Sequence, residues 1–402
     1  MAGTEKFSYA SLFAKTAPEA GRPRTATRRA RYDFAVAYPD PASVPLDGLV
    51  ESLRAALEVE GRDLAVYPHP QGYPPLREFV AEKLAKDRDI RVSPDDIILG
   101  DGSSQPIHMV IEALVDPGDI VLTEDFVYSG TLATLRRFGA EIRGVACDGD
   151  GMDPEALESA IQTAVAQGRR PKLIYTIPTF QNPQGWVMTL ERREAMVALS
   201  QTYDVPILED DCYVDLRFEG QPVTSIHSLD DTGRVMYVGS FSKIIAPGMR
   251  LGYLTAPPEV LDRAVAVKSG GGVNQFAALA VHRYSTGNLD THIEKINDVI
   301  RVKRDAMLAA LGENFGSAAT WSQPPGGLFI WLQMPGEADL VEAREKALEA
   351  DVGYQAGPLF APDGVSGRNY ARLCFGYNTP EEIREGIARL AQVFEREGFL
   401  AG

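Results

Sequence analysis

Lys243 has the most distinctive chemical surroundings of any side chain in this 402-residue sequence. It ends the segment Gly239-Ser-Phe-Ser-Lys243, and Arg250 follows closely. A lysine amine can form an imine with an aldehyde, while hydroxyl groups and an arginine can bind a phosphate. The segment therefore suits an aldehyde cofactor that also carries a phosphate, with Ser240, Ser242 and Arg250 as phosphate ligands. Taken alone, a lysine after a strand is more often an ordinary surface residue.

A second segment, Glu209-Asp-Asp-Cys-Tyr213, places carboxylates at the end of another apolar run. A buried carboxylate at a strand end needs a cationic partner, and a protonated pyridine nitrogen is one. Asp210 would keep such a nitrogen protonated, so that the ring can withdraw electrons. Tyr213 could donate a hydrogen bond to a phenolic oxygen of the same ring. A structural carboxylate and a core tyrosine are the simpler interpretations of each residue alone.

Two turn-like segments complete the set of candidates. Phe180-Gln-Asn-Pro-Gln-Gly185 is first of all a turn, but the amide of Asn182 could bind a ring oxygen. Gly100-Asp-Gly-Ser-Ser-Gln-Pro106 leads into a predicted helix, where Ser103, Ser104 and free backbone N–H groups could bind a phosphate. The third glycine of a dinucleotide-binding fingerprint is missing from this segment.

All four segments follow short apolar runs that are typical of β-strands. Between about residues 75 and 290 such runs alternate with helical periodicity, which predicts a mostly parallel sheet with helices on both faces. The predicted strands cover residues 97–99, 120–123, 141–146, 172–177, 206–209, 235–239 and 252–255. The predicted helices cover residues 75–86, 105–115, 129–138, 153–167 and 189–203. Ligands of such sheets bind at the carboxyl ends of the strands, so we expect the four segments to meet there.

The pattern changes after residue 290. The sequence there predicts a long helix at about 291–312, a strand at 327–333, a helix at 338–350, a strand at 370–375 and a last helix from 380 to about 397. We expect a small α+β domain built from residues 1–45 and 291–402, beside a large domain of residues 46–290.

The composition argues against several classes of function. A formal net charge of −16 disfavours nucleic acid as the main partner, because phosphate backbones are bound by concentrated Lys and Arg. Cys147, Cys212 and Cys374 are widely spaced without a CxxC pair, so neither a disulfide framework nor a metal site is expected. No apolar run reaches about 18 residues and the N-terminus lacks an apolar signal region, so we expect a soluble, cytoplasmic protein without membrane contacts.

Together the four segments supply an amine for an imine, a partner for a pyridinium, a clamp for a ring oxygen and a phosphate cup. In this combination Ser240-Phe-Ser-Lys243 with Arg250, Asp210-x-x-Tyr213 and Asn182-Pro-x-Gly185 resemble the fold-type I enzymes of aminotransferase class I/II, which use pyridoxal 5′-phosphate (PLP). The sequence is most similar to the branch of the 2-aminoadipate and kynurenine aminotransferases and of the catalytic domains of MocR-type regulators. The resemblance covers about residues 45 to 397. Because those regulators carry an additional N-terminal winged-helix domain, we expect an enzyme and not a regulator.

The resemblance implies a role for each candidate residue. The catalytic residues are Lys243, which forms the imine and moves the substrate proton, Asp210 on the ring nitrogen, and Tyr213 on the ring oxygen. The implied cofactor-binding residues are Tyr67, Ser103, Ser104, Tyr128, Asn182, Asp210, Tyr213, Ser240, Ser242, Lys243 and Arg250. Among them, Tyr128 stacks on the ring, and Tyr67 reaches the phosphate across a dimer interface. Arg372 is implied to bind the substrate carboxylate, with Asn182 beside it.

The implied protein is a homodimer with a seven-stranded sheet in its large domain. The implied reaction is the ping-pong transfer of an amino group from an α-amino acid to a 2-oxo acid. Another fold-type I activity on an amino acid (lyase, oxidase or decarboxylase) is the main alternative, and a non-catalytic PLP-fold sensor is a more distant one.

Two segments depart from the pattern of the branch. The sequence has Gly102-Ser-Ser-Gln105 where the branch commonly has Gly-Ser-Gln-Gln, a mild change in the phosphate cup. The N-terminal segment reads Asp33-Phe-Ala-Val-Ala-Tyr-Pro39 where a Gly-Gly pair is usual. We expect its bulky residues, Phe34 to Tyr38, to fill space beside the ligand and, with Tyr128, to favour apolar or aromatic substrate side chains.

Overall fold

The computed structural model describes residues 7–9, 11–14, 17 and 29–400. The helices are α1 Leu46–Glu60, α2 Pro74–Arg88, α3 Ser104–Leu114, α4 Ser129–Arg137, α5 Pro154–Ala166, α6 Leu190–Tyr203, α7 Ile226–Leu229, α8 Pro258–Val267, α9 Gln275–Phe315, α10 Ala343–Glu349 and α11 Pro380–Arg396. The strands are β1 Tyr32–Asp33, β2 Ile97–Asp101, β3 Ile120–Glu124, β4 Glu141–Val145, β5 Cys147–Asp148, β6 Gly151–Met152, β7 Leu173–Thr176, β8 Ile207–Asp210, β9 Val235–Ser240, β10 Leu251–Thr255, β11 Thr320–Trp321, β12 Phe329–Gln333, β13 Val352–Gly353, β14 Gln355–Ala356 and β15 Tyr370–Cys374.

A seven-stranded sheet with the order β2-β10-β9-β8-β7-β3-β4 forms the centre of the fold. Neighbouring strands are parallel except at β10, which runs antiparallel to both β2 and β9. Every residue of β3, β7, β8, β9 and β10 is buried, as expected for strands covered on both faces. The predicted α/β class with a mostly parallel seven-stranded sheet is therefore confirmed.

The two faces of this sheet pack against different helices. Ile120 and Leu122 of β3 belong to one core, together with Ile161 of α5 and Met196 of α6. Val121, between them in the chain, belongs to the larger core on the opposite face. This alternation places successive strand residues on opposite sides of the sheet, which decides which side chains at a strand end can share a site.

The N-terminal segment packs against the C-terminal part of the chain. Strand β1 pairs in parallel with β13, and a separate four-stranded sheet has the order β11-β12-β15-β14. Phe34 is fully buried, and its ring lies so close to helix α11 that a Cβ added at Gly386 would fall 2.6 Å from it. The ring therefore belongs to this C-terminal core. The expectation that Phe34 fills space beside the ligand is wrong for this side chain.

Helix α9 also differs from the prediction, because it begins at Gln275 and not at about residue 291. The backbone leaves helical geometry at Thr286 and Gly287, where Gly287 has a φ of 89°. The predicted helix corresponds to the part after this bend. Within the described part of the chain, no helix is long and apolar enough to cross a membrane.

Candidate active site

The carboxyl ends of β2, β7, β8 and β9 lie at one edge of the central sheet, because these four strands run in the same direction. Ser103 follows β2, Asn182 follows β7, Asp210 ends β8 and Lys243 follows β9. The four segments singled out in the sequence therefore meet at the edge where ligands of such sheets bind.

The amine of Lys243 lies inside this edge and has an unusual partner. Its Nζ donates a hydrogen bond to the backbone carbonyl of Ala37 at 2.7 Å, and it lies 6.0 Å from the ring centre of Tyr213. No carboxylate lies within ion-pair distance of it among the described residues. Burial lowers the pKa of Lys243 to about 8. The amine therefore loses its proton more easily than an exposed lysine, so at a given pH more of it is in the neutral form that can act as nucleophile or base.

Asp210 is a carboxylate at the same edge, and only 4% of it is exposed. Its Oδ2 accepts a hydrogen bond from the Tyr175 hydroxyl at 2.6 Å, and its Oδ1 accepts one from the Cys212 thiol at 2.7 Å. Burial raises the pKa of Asp210, although the hydrogen bonds from Cys212 and Tyr175 act in the opposite direction. Its protein partners are neutral, so a cationic ring nitrogen would fit this carboxylate.

Arg372 lies on β15 and extends into the site from the four-stranded sheet. Its Nη1 donates to Asn182 Oδ1 at 3.0 Å, and its Nη2 donates to the Ala35 carbonyl at 2.5 Å. The guanidinium carbon lies 4.6 Å from the ring centre of Phe329 and 4.9 Å from that of Phe360. Burial lowers the pKa of Arg372, and its Nε has no hydrogen-bond partner among the described residues. A buried guanidinium held only by neutral groups is suited to bind a carboxylate ligand.

Asn182 connects Arg372 with Tyr213. The Asn182 side chain accepts from Arg372 and donates through Nδ2 to the Tyr213 hydroxyl at 3.3 Å. The flanking Gln181 donates through Nε2 to the carbonyl of Phe126 at 2.7 Å, which ties this loop to the loop before α4. Burial raises the pKa of Tyr213 well above its usual value, so its hydroxyl remains a hydrogen-bond donor at physiological pH.

The candidate phosphate cup lies at the start of α3. Ser103 precedes this helix without capping it through its side chain, which leaves N–H groups of the first turn available to an anion. A Cβ added at Gly252 would lie 2.5 Å from the Ser103 nitrogen, and one at Gly102 would lie 2.3 Å from Nη2 of Arg250. The two glycines therefore let β10 and Arg250 approach the Ser103 loop closely. Hydroxyls of Ser103, Ser104, Ser240 and Ser242 complete the polar set at this edge.

The two remaining predicted residues behave differently. Tyr128 precedes α4, is half-buried, and is close enough to Asp210 and Arg372 for both to affect its pKa, which burial raises. Tyr67 is 97% exposed and makes no contact with this cluster. The structure therefore brings all the candidate residues to one edge except Tyr67.

Sequence reasoning missed several groups that hold the site together. The carbonyls of Ala35 and Ala37 bind Arg372 and Lys243, and the side chains of Tyr175 and Cys212 bind Asp210. A backbone carbonyl has no signature in the sequence. Two signals were available in the sequence: Tyr175 lies near the end of a predicted strand, and Cys212 lies within the segment Glu209-Asp-Asp-Cys-Tyr213.

The residues at this edge fit the chemistry of PLP: a readily deprotonated amine for its aldehyde, a carboxylate without a cation for its ring nitrogen, and a helix N-terminus with hydroxyls and an arginine for its phosphate. None of these three parts of the cofactor requires Arg372.

Comparisons with known proteins agree with this chemistry. Residues 38–390 match the family model described as aminotransferase class I and II. The chain is 36% identical to aromatic-amino-acid aminotransferase 1 of Thermococcus litoralis, over 89% of this chain and 87% of that protein. It is 31% identical to the 2-aminoadipate transaminase of Thermus thermophilus, over 92% of this chain and 90% of that protein. The crystal structure of the Pyrococcus horikoshii kynurenine aminotransferase in complex with PMP superimposes with a TM-score of 0.90 at 33% identity, covering 96% of this chain and 98% of that one.

Proposed function

The chain belongs to the class I and II aminotransferases and is a PLP-dependent enzyme that transfers amino groups, and we propose that its amino donor is an α-amino acid whose carboxylate binds Arg372. The predicted activity is thus confirmed. The alternatives of a lyase, an oxidase or a decarboxylase are not favoured, because the relatives named above are aminotransferases.

The proposed cofactor ligands are the groups at the strand ends. When bound, PLP supplies an aldehyde that takes up the amino group and a ring that withdraws electrons. Asp210 holds a proton on the ring nitrogen, and Asn182 and Tyr213 donate to the ring oxygen. Tyr128 packs on the ring. The phosphate ligands are Ser103, Ser104, Ser240, Ser242 and Arg250.

Lys243 is the proposed base. Because burial lowers its pKa to about 8, a substantial fraction of the amine is neutral near physiological pH. Neutral Nζ can take up the proton that Cα of the amino acid loses and pass it on to the cofactor, not back to Cα. The Ala37 carbonyl accepts a hydrogen bond from Nζ without neutralising its charge, so it does not oppose this low pKa as a carboxylate would.

The single observation that carries the donor assignment is the environment of Arg372. Its guanidinium is buried between two aromatic rings and bound only by an amide oxygen and a carbonyl oxygen. A structural arginine at this depth would be expected to have a carboxylate partner. A substrate carboxylate would complete it through two parallel hydrogen bonds.

The test compares an α-amino acid with the amine that lacks its carboxylate, in the wild type and in Arg372→Ala. We expect the variant to lose about 2–5 kcal/mol in kcat/KM for the amino acid and far less for the amine. Arg372→Lys should recover little, because a point charge cannot replace the planar fork. Arg304→Lys is the matched control, a buried arginine paired with Glu219, and should affect both donors equally. Equal losses on both donors in Arg372→Ala would make Arg372 structural.

We propose further that the donor side chain is apolar or aromatic. Tyr128, Phe329 and Phe360 lie around Arg372. Phe34 does not support this preference, because its ring is buried in the C-terminal core. The activity named for the relative from Thermococcus litoralis points the same way. A panel of amino donors, scored by the change in absorbance of the bound cofactor, tests it. Faster conversion of acidic than of aromatic donors would refute it.

The proposed assembly is a homodimer with shared active sites. Tyr67 is almost fully exposed, and a surface cavity of about 800 Å³ lies beside Arg250, lined by Leu46, Val50 and the half-exposed Phe276. A second copy covering this region would bury apolar side chains and bring its own Tyr67 to the phosphate site. We expect an interface above about 2,000 Å². A fully active monomer, seen by light scattering at assay concentrations, would contradict it.

The domain division and the cellular location are also proposals. A boundary near residue 290 is supported by the bend of α9 at Thr286 and Gly287, and by the pairing of β1 with β13. A cytoplasmic location is supported by Cys147, Cys212 and Cys374, which are free thiols in this structure.

A further inference from the structure

Asp210 is held by a second layer of side chains. The Tyr175 hydroxyl and the Cys212 thiol each donate to a different oxygen of its carboxylate, at 2.6 Å and 2.7 Å. Tyr175 is fully buried and Asp210 almost so. Hydrogen bonds to a carboxylate are strong where water is excluded, and two donors on two oxygens fix its orientation.

The sheet explains why Tyr175 reaches this carboxylate. In the pairing of β7 with β8, Tyr175 lies opposite Leu208, which is two residues before Asp210 and so points to the same face. Thr176 and Glu209 point to the other face. Tyr175 and Asp210 are therefore diagonal neighbours on the face that carries the cofactor site.

The hydrogen bonds from Tyr175 and Cys212 help to keep Asp210 ionised, because its other surroundings favour the protonated form. Burial raises the pKa of Asp210, and the nearby Asp211 raises it further, whereas the hydrogen bonds from Cys212 and Tyr175 lower it. Tyr128, from the loop before α4, also lies close to Asp210, and the Asp210 carboxylate raises the pKa of Tyr128. Burial raises the pKa values of Tyr175 and Cys212 well above their usual ranges, so both remain protonated donors.

We propose that Tyr175 is a positioning residue that, together with Cys212, holds the carboxylate of Asp210 in place for the cofactor ring. This inference rests on the proposed pairing of Asp210 with the ring nitrogen. Tyr175 does not touch the reacting atoms and acts through Asp210. Its loss would leave one oxygen of a buried carboxylate without its donor and make that carboxylate easier to protonate.

The next strand provides a matched control. The Tyr237 hydroxyl donates to Oδ2 of Asp211 at 3.2 Å, and Tyr237 is also fully buried. It lies opposite Glu209 and therefore on the face away from Asp210. Arg88 binds the same oxygen of Asp211 at 2.9 Å, so Tyr237→Phe leaves that carboxylate paired.

The experiment measures the affinity of the cofactor-free protein for PLP, by the change in protein fluorescence, between pH 6 and pH 8. We expect Tyr175→Phe to weaken binding roughly 10- to 100-fold, because Asp210 then protonates more easily and is no longer held in the orientation that pairs with the ring nitrogen. The ratio of its Kd to that of Tyr237→Phe should rise as the pH falls, because Asp210 then takes up a proton more readily. Taking the ratio cancels the titration of Lys243, which both variants retain.

Equal PLP affinity of Tyr175→Phe and Tyr237→Phe at every pH would overturn the proposal. Asp210→Asn separates this outcome from a failure of the proposed function. If Asp210→Asn loses activity while Tyr175→Phe binds PLP normally, only the positioning role is wrong. If Asp210→Asn keeps wild-type activity, the role of Asp210 itself is wrong.

A second pair of variants keeps the proposal testable if Tyr175→Phe does not fold. Cys212→Ser retains a donor beside Oδ1 of Asp210, whereas Cys212→Ala removes it. We expect the alanine variant to bind PLP more weakly than the serine variant, with the gap widening at low pH. Identical affinities of the two would again count against the proposal.

Discussion

Buried cations occur in two different settings in this protein. Two of them lie away from the site and have carboxylate partners: Lys303 binds Asp40 at 2.6 Å, and Arg88 binds Asp211 at 2.9 Å. All four of these side chains are nearly inaccessible to solvent. Such pairs compensate the desolvation of each charge, so removing one partner leaves the other buried and uncompensated.

At the site the cations are held differently. Lys243 and Arg372 are bound by the backbone carbonyls of Ala37 and Ala35, with Asn182 as a further partner of Arg372. Burial lowers the pKa of both cations. This difference distinguishes charges that are paired within the fold from charges whose partners are neutral. It predicts that substitutions in the two settings have opposite consequences for stability and activity.

The largest effect is expected for Lys243. Lys243→Ala should abolish turnover, because no other amine in the site can form the bond to the cofactor or move the Cα proton. A lysine adduct that borohydride can still trap in this variant would show that the assignment is wrong.

The charge of Lys243 should also affect the stability of the protein. The folded-state pKa of Lys243, about 8, lies below that of an unfolded lysine. Its burial therefore destabilises the cofactor-free protein fully below pH 8, and the penalty is relieved as the pH rises above that value. Lys243→Met should raise the thermal midpoint of the cofactor-free protein at pH 7, with a smaller gain at pH 9. A lower midpoint at pH 7 would show that the charge of Lys243 does not destabilise the fold.

The opposite result is expected for Lys303. Lys303→Met leaves the buried carboxylate of Asp40 without its cation, which should lower the stability by about 3–5 kcal/mol. Denaturant unfolding of the cofactor-free protein measures this loss. The control is Lys346→Met, which breaks a pair with Glu397 in which the lysine is largely exposed and should change the stability by less than about 1 kcal/mol. Similar losses in the two variants would remove the basis for treating the buried pairs as structural.

Asp210→Asn should lower turnover less than Lys243→Ala does. Asp210→Asn preserves the shape of the side chain, so the variant should still bind PLP at saturating concentration, with an affinity lowered at least as much as in Tyr175→Phe. Its rate should fall about 10²-fold or more, because a neutral amide cannot keep the ring nitrogen protonated. Steady-state kinetics at saturating cofactor provide the measurement. A rate near that of the wild type would remove Asp210 from the proposed mechanism.

Much of this architecture could be predicted from the sequence. Buried parallel strands are continuous apolar runs, and their boundaries agree with the prediction to within one or two residues in the central sheet, as for β8 at Ile207–Asp210. The placement of Asn182, Asp210 and Lys243 at one edge followed from the topology of that sheet.

Other features depend on three-dimensional contacts that leave no local pattern. Strand β1 has only two residues and exists because β13 pairs with it. The prediction began α9 only at about residue 291. It therefore missed the first part of the helix, which the bend at Gly287 separates from the rest. The bond between Tyr175 and Asp210 depends on the register of β7 and β8, which the sequence does not specify.

The contacts of Ala35 and Ala37 have a consequence for how this protein can change over generations. Both residues hold a cation through a backbone carbonyl, and every amino acid has that group. Side chains at these two positions can therefore be exchanged while the anchors of Lys243 and Arg372 persist. A segment that supplies main-chain atoms to the site does not depend on the chemistry of its side chains for that task.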